Sequence, residues 1–295
     1  MTSMALPGYI APDTIAEALR LKQTHGHDAR VIAGGTDLIL RMRDEVFSPG
    51  LLIDLRHTSL DHISSTPQEM SFGAYVTVAQ ILSHADAAEQ LPALVEACRH
   101  FAGPPIRNRG TLGGNLVNAS PAADLVPPLM AYDASIILAS TGGERKLKLR
   151  EFFTGPGQTV MRPDELLTAI HLPQPSPNSQ AAFIKLGQRR SMAIAIVSAC
   201  THVTLLAGNK IRDARIVLGA VAPTVVRTPA AEALLNGCQF DSDVIAAAAR
   251  QAAEEVSPIT DVRASRQYRK RMVEVLVRRA LNANLNSLTG GDRDE

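Results

Sequence analysis

Two glycine-containing stretches organise this sequence. The first is Ala33-Gly34-Gly35-Thr36-Asp37-Leu38, and the second is Thr111-Leu112-Gly113-Gly114-Asn115, followed at short range by Ser120-Pro121-Ala122-Ala123-Asp124-Leu125. Glycine lacks a Cβ atom, so it adopts positive φ readily and lets backbone N–H groups approach phosphates or ring edges. The two stretches together predict one extended ligand held from two sides.

The first stretch is predicted to be a tight turn between a strand and a helix. Residues 30–33 read as a short strand, and residues 37–43 have helical character. The start of a helix presents unpaired N–H groups and the positive end of the helix dipole, which favours a phosphate. Upstream, the capping-box pattern Thr14-x-x-Glu17 predicts a helix over about 14–25. Residues 51–55 predict a further strand.

The remainder of the chain divides at a proline-rich segment. Helices are predicted at 76–84 and 91–100, a hairpin at 135–139 and 145–149, and a strand at 166–172. Three prolines within 173–177 oppose regular structure and predict a domain boundary. Strands within 192–206 and at 211–220 follow, and helices at 242–255 and 262–281 come last.

Composition excludes several classes of function. The 295 residues are 45% apolar and 20% charged, and the net charge is +1. This balance gives no electrostatic argument for nucleic acid or for an anionic membrane. The uncharged residues 191–209 include polar side chains, so they are interpreted as buried strands rather than a membrane span.

Cysteine usage predicts neither a metal centre nor a secreted disulfide framework. Cys98, Cys200 and Cys238 are far apart in the sequence, with no C-x-x-C pair to hold zinc or an iron–sulfur cluster. Free cysteines fit a reducing compartment, and the N-terminus has no signal-peptide pattern, so a cytoplasmic location is expected. The motifs of Rossmann, P-loop, zincin and common hydrolase sites are also absent.

The two stretches, with further motifs, resemble one known family. The chain is similar to the FAD-binding medium subunit of the molybdenum hydroxylases, which include carbon monoxide dehydrogenase and xanthine dehydrogenase. The matching segments are Ala33-Gly-Gly-Thr-Asp-Leu38, Ile53-Asp-Leu55, Ile106-Arg-Asn108, Gly110-Thr-Leu-Gly-Gly-Asn115, Ala119-Ser-Pro-Ala-Ala-Asp-Leu125, Glu151-Phe-Phe-Thr-Gly-Pro156, Asp164-Glu-Leu-Leu167, Phe183 with Lys185, Asp261-Val-Arg-Ala-Ser265, and Tyr268-Arg269. They span nearly the whole chain in the family's order.

The resemblance implies an α+β architecture of the p-cresol-methylhydroxylase-like FAD-binding type. It implies a small N-terminal α/β FAD-binding subdomain at 1–56 and a second FAD-binding subdomain with a larger mixed sheet and helices at 57–175. A C-terminal domain of antiparallel strands and helices, similar to that of the carbon monoxide dehydrogenase flavoprotein, would occupy 176–289. Residues 290–295 are a predicted tail.

The resemblance also implies roles for individual residues. Ala33, Gly34, Gly35, Thr36, Asp37 and Leu38 would hold the diphosphate of FAD. Thr111, Gly113, Gly114 and Asn115, with 113–115 as a turn, would hold the diphosphate and ribityl region. Asp124 would accept a hydrogen bond from the flavin, Leu167 and Lys185 would lie near the isoalloxazine, and Phe101 would lie near an aromatic part of the cofactor. No catalytic residue and no metal ligand is expected in this chain.

The implied function is electron transfer within a larger enzyme. A partner large subunit would carry the molybdopterin cofactor and a small subunit the 2Fe-2S clusters, in a heterohexamer that is a dimer of heterotrimers. This chain would pass electrons to an external acceptor; neither that acceptor nor the substrate follows from the sequence. A self-contained FAD oxidase or dehydrogenase of the same fold group and a non-enzymatic FAD-binding protein remain alternatives. At residue level, Asp124 as a helix cap, Lys185 as a solvated edge charge and Phe101 as a core residue also remain open.

Overall fold

A small parallel sheet forms the N-terminal unit. The computed structural model describes residues 7–189 and 192–289. The elements of this unit are β1 (Gly8–Ile10), α1 (Ile15–His25), β2 (Ala29–Ile32), α2 (Leu38–Arg43) and β3 (Leu51–Asp54). Strand β3 lies between β1 and β2 and is parallel to both. Each residue of β3 is buried, as expected for the apolar central strand of a parallel sheet.

Helix α1 begins where the capping pattern predicts it. The Glu17 N–H donates to Thr14 Oγ1 at 3.2 Å, so Thr14 is the N-cap. The Glu17 carboxylate does not complete the box on Thr14, because it accepts from the Asp13 N–H at 3.3 Å instead. One half of the predicted capping box is therefore present.

A larger sheet with helices forms the middle unit. Its elements are β4 (Ile63–Ser65), β5 (Glu69–Gly73), α3 (Val78–Ser83), α4 (Ala85–Gln90), α5 (Pro92–His100), α6 (Pro104–Arg107), α7 (Leu112–Val117), α8 (Val126–Ala131), β6 (Ser135–Ser140), β7 (Gly143–Lys148), β8 (Phe153–Gly155), β9 (Gln158–Thr159) and β10 (Leu166–Pro173). The strand order of the main sheet is β4-β5-β10-β6-β7, and each of these pairings is antiparallel. The largest apolar core lies between this sheet and its helices.

The C-terminal unit is an antiparallel sheet covered by helices. Its elements are β11 (Ser179–Leu186), β12 (Val197–Leu206), β13 (Lys210–Gly219), β14 (Val226–Arg227), α9 (Pro229–Leu235), α10 (Ser242–Glu254) and α11 (Arg266–Thr289). Strands β11 to β14 pair in sequence order. A separate apolar core fills the space between the sheet and the helices. In the described ranges, no helix has the length and apolar character needed to cross a membrane.

Most predicted elements are confirmed. Short elements such as β1, α4, α6, α8 and α9 were not predicted, and three further exceptions have local causes. Strand β11 is absent from the sequence prediction, because its half-buried, partly polar residues lack a clear apolar run. Helix α11 begins at Arg266 rather than 262, since the Asp261 carboxylate accepts from the N–H groups of Arg263 and Ala264 and holds a turn there. The third exception is α7, which replaces the predicted turn at 113–115. The predicted tail at 290–295 lies outside the described residues.

Candidate functional site

The first glycine stretch, 33–38, is the predicted turn between β2 and α2. Gly35 has φ +71°, and it alone has a positive φ among residues 33–38 and 111–115. The Gly35 carbonyl accepts from the Ile39 N–H at 3.2 Å, which starts α2. The N–H groups of Gly35, Thr36 and Asp37 make no hydrogen bond within the described residues. This stretch therefore presents free backbone donors.

The second glycine stretch, 111–125, begins as a capped helix. The prediction of a turn at 113–115 is wrong, because Gly113, Gly114 and Asn115 lie in the first turn of α7. Thr111 is its N-cap and accepts from the Gly114 N–H at 3.0 Å. The N–H of Gly113 donates to Ala74 O at 3.0 Å, and the N–H of Asn115 donates to Thr111 O at 3.0 Å. These N–H groups are thus already bonded within the protein.

The first glycine stretch lies directly against Arg109 and Gly110, which immediately precede the second stretch. A Cβ atom on Gly34 would be 1.8 Å from the Arg109 carbonyl oxygen, so no side chain fits there. The Arg109 guanidinium Nε donates to Gly34 O at 3.2 Å. Gly110 lies close to Phe101 and to Thr36, because a Cβ there would be 3.4 Å from Phe101 Cε1 and 3.7 Å from Thr36 Oγ1. The first stretch is therefore packed against the start of the chain segment that leads into the second.

Two buried acceptors on the second stretch have no partner. Asn115 Oδ1 and Asp124 Oδ1 are both shielded from solvent and lack a hydrogen bond within the described residues. An unsatisfied buried acceptor costs about 1–3 kcal/mol, so such atoms need an explanation. A ligand that carries hydroxyl or ring N–H donors would satisfy both.

Asp124 forms a buried ion pair with Lys185. Lys185 Nζ donates to Asp124 Oδ2 at 2.6 Å and to His100 O at 3.3 Å. The two side chains are only 10% and 5% exposed. Burial raises the pKa of Asp124 above its ordinary value, although the adjacent Lys185 ammonium opposes this shift. Lys185 also lines a cavity of about 490 Å³, together with His100, Gly187 and Met192.

The structure decides two of the open residue-level alternatives. Asp124 does not cap a helix, because α8 has Leu125 at its N-cap and no side-chain cap. Lys185 is not a solvated edge charge, since its ammonium is buried against Asp124. Phe101 is half-buried against the middle core and also borders Gly110. Leu167 is 4% exposed within that core on β10.

Sequence reasoning missed Arg109, which bonds the first glycine stretch, and His100, whose carbonyl holds Lys185. Arg109 lies two residues before Thr111, so its position in the motif was the one available signal. Within the described ranges, no group of three or more His, Cys, Asp or Glu side chains is placed to hold a metal ion.

The chain matches two family models. The family described as the FAD binding domain in molybdopterin dehydrogenase matches residues 2–175. The chain belongs to this family. Residues 182–283 also match the CO dehydrogenase flavoprotein C-terminal domain, so both matches lie in one protein. The predicted fold class, FAD cofactor and membership of an oxidoreductase complex are confirmed.

Individual relatives are similar over almost their full length. The "6-hydroxypseudooxynicotine dehydrogenase complex subunit alpha" of Paenarthrobacter nicotinovorans is 35% identical over 92% of this chain and 92% of its own. The carbon monoxide dehydrogenase medium chain of Hydrogenophaga pseudoflava is 31% identical over 93% of this chain and 96% of its own. A solved carbon monoxide dehydrogenase structure from that organism superimposes with a TM-score of 0.92 at 30% identity, over 95% of this chain and 98% of the other. This molybdopterin dehydrogenase flavoprotein is therefore a medium-chain, FAD-binding subunit.

Proposed function

We propose that the two glycine stretches hold one FAD molecule by complementary means. The free N–H groups of the first stretch bind the diphosphate, and the unpartnered oxygens of Asn115 and Asp124 accept from hydroxyl and ring N–H donors. Ala33, Gly34 and Leu38 shape the turn, and Thr111, Gly113 and Gly114 bring α7 close to the ligand. In this proposal Phe101, Leu167 and Lys185 lie beside the cofactor's aromatic parts, as the family resemblance implies.

One observation carries this assignment above the others. Asn115 Oδ1 and Asp124 Oδ1 are buried acceptors without partners among the described residues, and both belong to the second glycine stretch. FAD has hydroxyl and ring N–H donors as well as phosphate oxygens. Such donors would remove the penalty of both unsatisfied oxygens, which supports an FAD site at this place.

The electron-transfer role follows from family membership and from the chain's own groups. Bound FAD supplies the redox chemistry, while the protein binds, orients and tunes it. We assign no substrate-activating group among the described residues: Lys185 neutralises Asp124 and holds its carboxylate towards the cofactor. Electrons arrive from 2Fe-2S clusters in a partner and leave to an external acceptor.

The proposal extends to assembly and location. Relatives are named as subunits of dehydrogenase complexes. We infer a molybdopterin-binding large subunit and a 2Fe-2S small subunit as partners, arranged as a dimer of heterotrimers. The three free cysteines support a cytoplasmic location. The divisions at 1–56, 57–175, 176–289 and 290–295 are proposed as the domain limits.

The site is tested by comparing FAD affinity and stability in two asparagine-to-alanine variants. Asn115→Ala removes an unpartnered acceptor, so the FAD dissociation constant should rise about tenfold while the stability of the FAD-free chain does not fall. Asn236→Ala is the matched control, because Asn236 Oδ1 accepts from the Ala214 N–H at 2.9 Å in the C-terminal unit. It should lose stability by about 1–3 kcal/mol and keep its FAD affinity. Unchanged FAD affinity in Asn115→Ala would contradict the site.

The partners are tested separately by purification from the native host. A tagged chain should copurify with a large and a small polypeptide, and the complex should contain flavin, molybdenum and iron. Reduction of the flavin by an organic donor in the isolated chain, with neither partner present, would instead support the self-contained enzyme.

A further inference from the structure

Arg269 on α11 is the largest fully buried side chain among the described residues, with 1% of its surface exposed. Its Nη2 donates to Asp261 Oδ1 at 2.7 Å. Its Nη1 donates to two backbone carbonyls, those of Ile196 and Ala220, the latter at 3.1 Å. A buried guanidinium is expensive to desolvate, so its contacts on two separate chain segments call for a reason beyond packing.

The first of these carbonyls, that of Ile196, lies just before β12 and is hydrogen-bonded through its own residue to the end of β11, the strand that carries Lys185. The Ile196 N–H donates to Leu186 O at 2.7 Å, and Leu186 follows Lys185 directly at the end of β11. Lys185 also pairs with Ser198 in the register of β11 and β12. The bond from Arg269 to Ile196 therefore fixes the strand end from which the Lys185 side chain extends.

The second carbonyl, that of Ala220, belongs to a residue that is hydrogen-bonded to the turn preceding Asp124. Ala220 has φ +63°, a conformation that a residue with a Cβ rarely adopts. Its N–H donates to Pro121 O at 2.7 Å, three residues before Asp124. The Ala123 N–H donates to Ser120 O at 3.0 Å and keeps this segment as a turn. Arg269 thus holds Ala220 in the orientation that supports the Asp124 turn.

We propose that Arg269 is a positioning residue for the cofactor site. Its backbone contacts hold the segments that place Lys185 and Asp124 at ion-pair distance. The Arg269 guanidinium bonds to Ile196 and to Ala220. Each of these two residues donates one backbone hydrogen bond, the first to Leu186 and the second to Pro121. Asp261 orients Arg269 while Arg263 holds the other carboxylate oxygen, with Nη2 to Oδ2 at 2.6 Å. This inference rests on the proposed FAD site.

A double-mutant cycle on the full chain tests the proposal. Arg269→Lys keeps the charge but cannot bond both carbonyls and Asp261 in the same geometry. We expect its FAD dissociation constant to rise about tenfold, within the coupling range of residues that act together. Lys185→Met removes the ion pair that Arg269 positions. In that background Arg269→Lys should change the dissociation constant by less than about twofold. An equal loss in both backgrounds, or no loss in either, would overturn the proposal.

The pH profile of FAD binding separates positioning from general stability. Arg269→Lys should shift the pH at which FAD affinity falls, because the distance between Lys185 and Asp124 changes. Arg227→Met is the control, since Arg227 forms an ion pair with Glu232 in the same unit, with Nη2 to Oε2 at 2.6 Å, and contacts neither Asp261 nor the two carbonyls in the described structure. It should lose stability without a shift in that profile. Identical profiles for Arg269→Lys and the parent chain would contradict the proposal.

Failure of the proposed FAD site gives a different result. In that case Asn115→Ala and Lys185→Met leave FAD binding unchanged, whatever Arg269→Lys does. If those two variants weaken FAD binding and Arg269→Lys does not, the positioning role alone is wrong.

Discussion

The first and second glycine stretches look alike in sequence but differ in backbone. Both contain two adjacent glycines and a threonine. In the first, Gly35 has a positive φ and the N–H groups at 35–37 are free. In the second, Gly113 and Gly114 are helical and their N–H groups are bonded to Ala74 and Thr111. The first stretch therefore offers donors, whereas the second offers the side-chain acceptors of Asn115 and Asp124.

One requirement for glycine is nevertheless shared by the two stretches. Gly34 leaves room for the Arg109 carbonyl, and Gly113 leaves room for Ala74, whose oxygen would be 2.6 Å from an added Cβ. Close packing, rather than unusual φ, is the requirement at both positions. A ligand with acidic phosphates at one end and hydrogen-bond donors at the other matches the two chemically different halves.

The largest expected effect is that of Gly34→Ala. Its Cβ would overlap the Arg109 carbonyl at 1.8 Å, so the two stretches must separate. FAD affinity should fall at least about hundredfold, because overpacking of rigid backbone costs a few kcal/mol. Flavin fluorescence titration measures this. Gly35→Ala is the comparison variant: its Cβ meets Ile32 and Ile39 at an ordinary 3.4 Å, and the strain of φ +71° should cost only about 1–2 kcal/mol. Equal FAD affinity for Gly34→Ala and the parent chain would contradict the claim that close packing at Gly34 is needed for FAD binding.

A smaller effect distinguishes the two glycines of α7. Gly113→Ala should lower the free energy of unfolding by about 1–3 kcal/mol, since its Cβ would be 2.7 Å from Ala74 Cβ. Gly114→Ala should change it by less than about 1 kcal/mol, because better helix propensity offsets the displaced Thr111 cap. Urea unfolding of the FAD-free chain measures both. Similar losses of unfolding free energy in the two variants would contradict the special role of Gly113 in packing on Ala74.

The smallest expected effect is a pH dependence confined to the second stretch. Burial raises the pKa of Asp124, and its carboxylate accepts well only when it is deprotonated. FAD affinity should therefore fall severalfold as the pH drops through this raised pKa. Lys185→Met should move the fall to higher pH, because the ammonium that favours the carboxylate is lost. Titrations of FAD binding from neutral to acidic pH measure the shift; a pH-independent affinity would contradict the role of Asp124.

Local patterns predicted much of the fold, and long-range contacts explain the remainder. The apolar spacing at 91–100 and the hairpin around Gly142 were visible because their signals lie within a few residues. Helix α7 was missed because glycine and asparagine are poor helix formers, yet the Thr111 cap and packing on Ala74 override that tendency. The family resemblance supplied the site residues. The pairing of Lys185 with Asp124, across 61 positions, required the three-dimensional structure.

Amide hydrogen exchange with and without FAD tests the division between the two stretches most directly. FAD should slow exchange of the N–H groups at 35–37 by about tenfold or more, because none of the described residues accepts from them. The N–H groups at 113–115 should change little, since they are bonded within the protein already. Bound FAD that leaves 35–37 unprotected, or that protects mainly 113–115, would contradict the account.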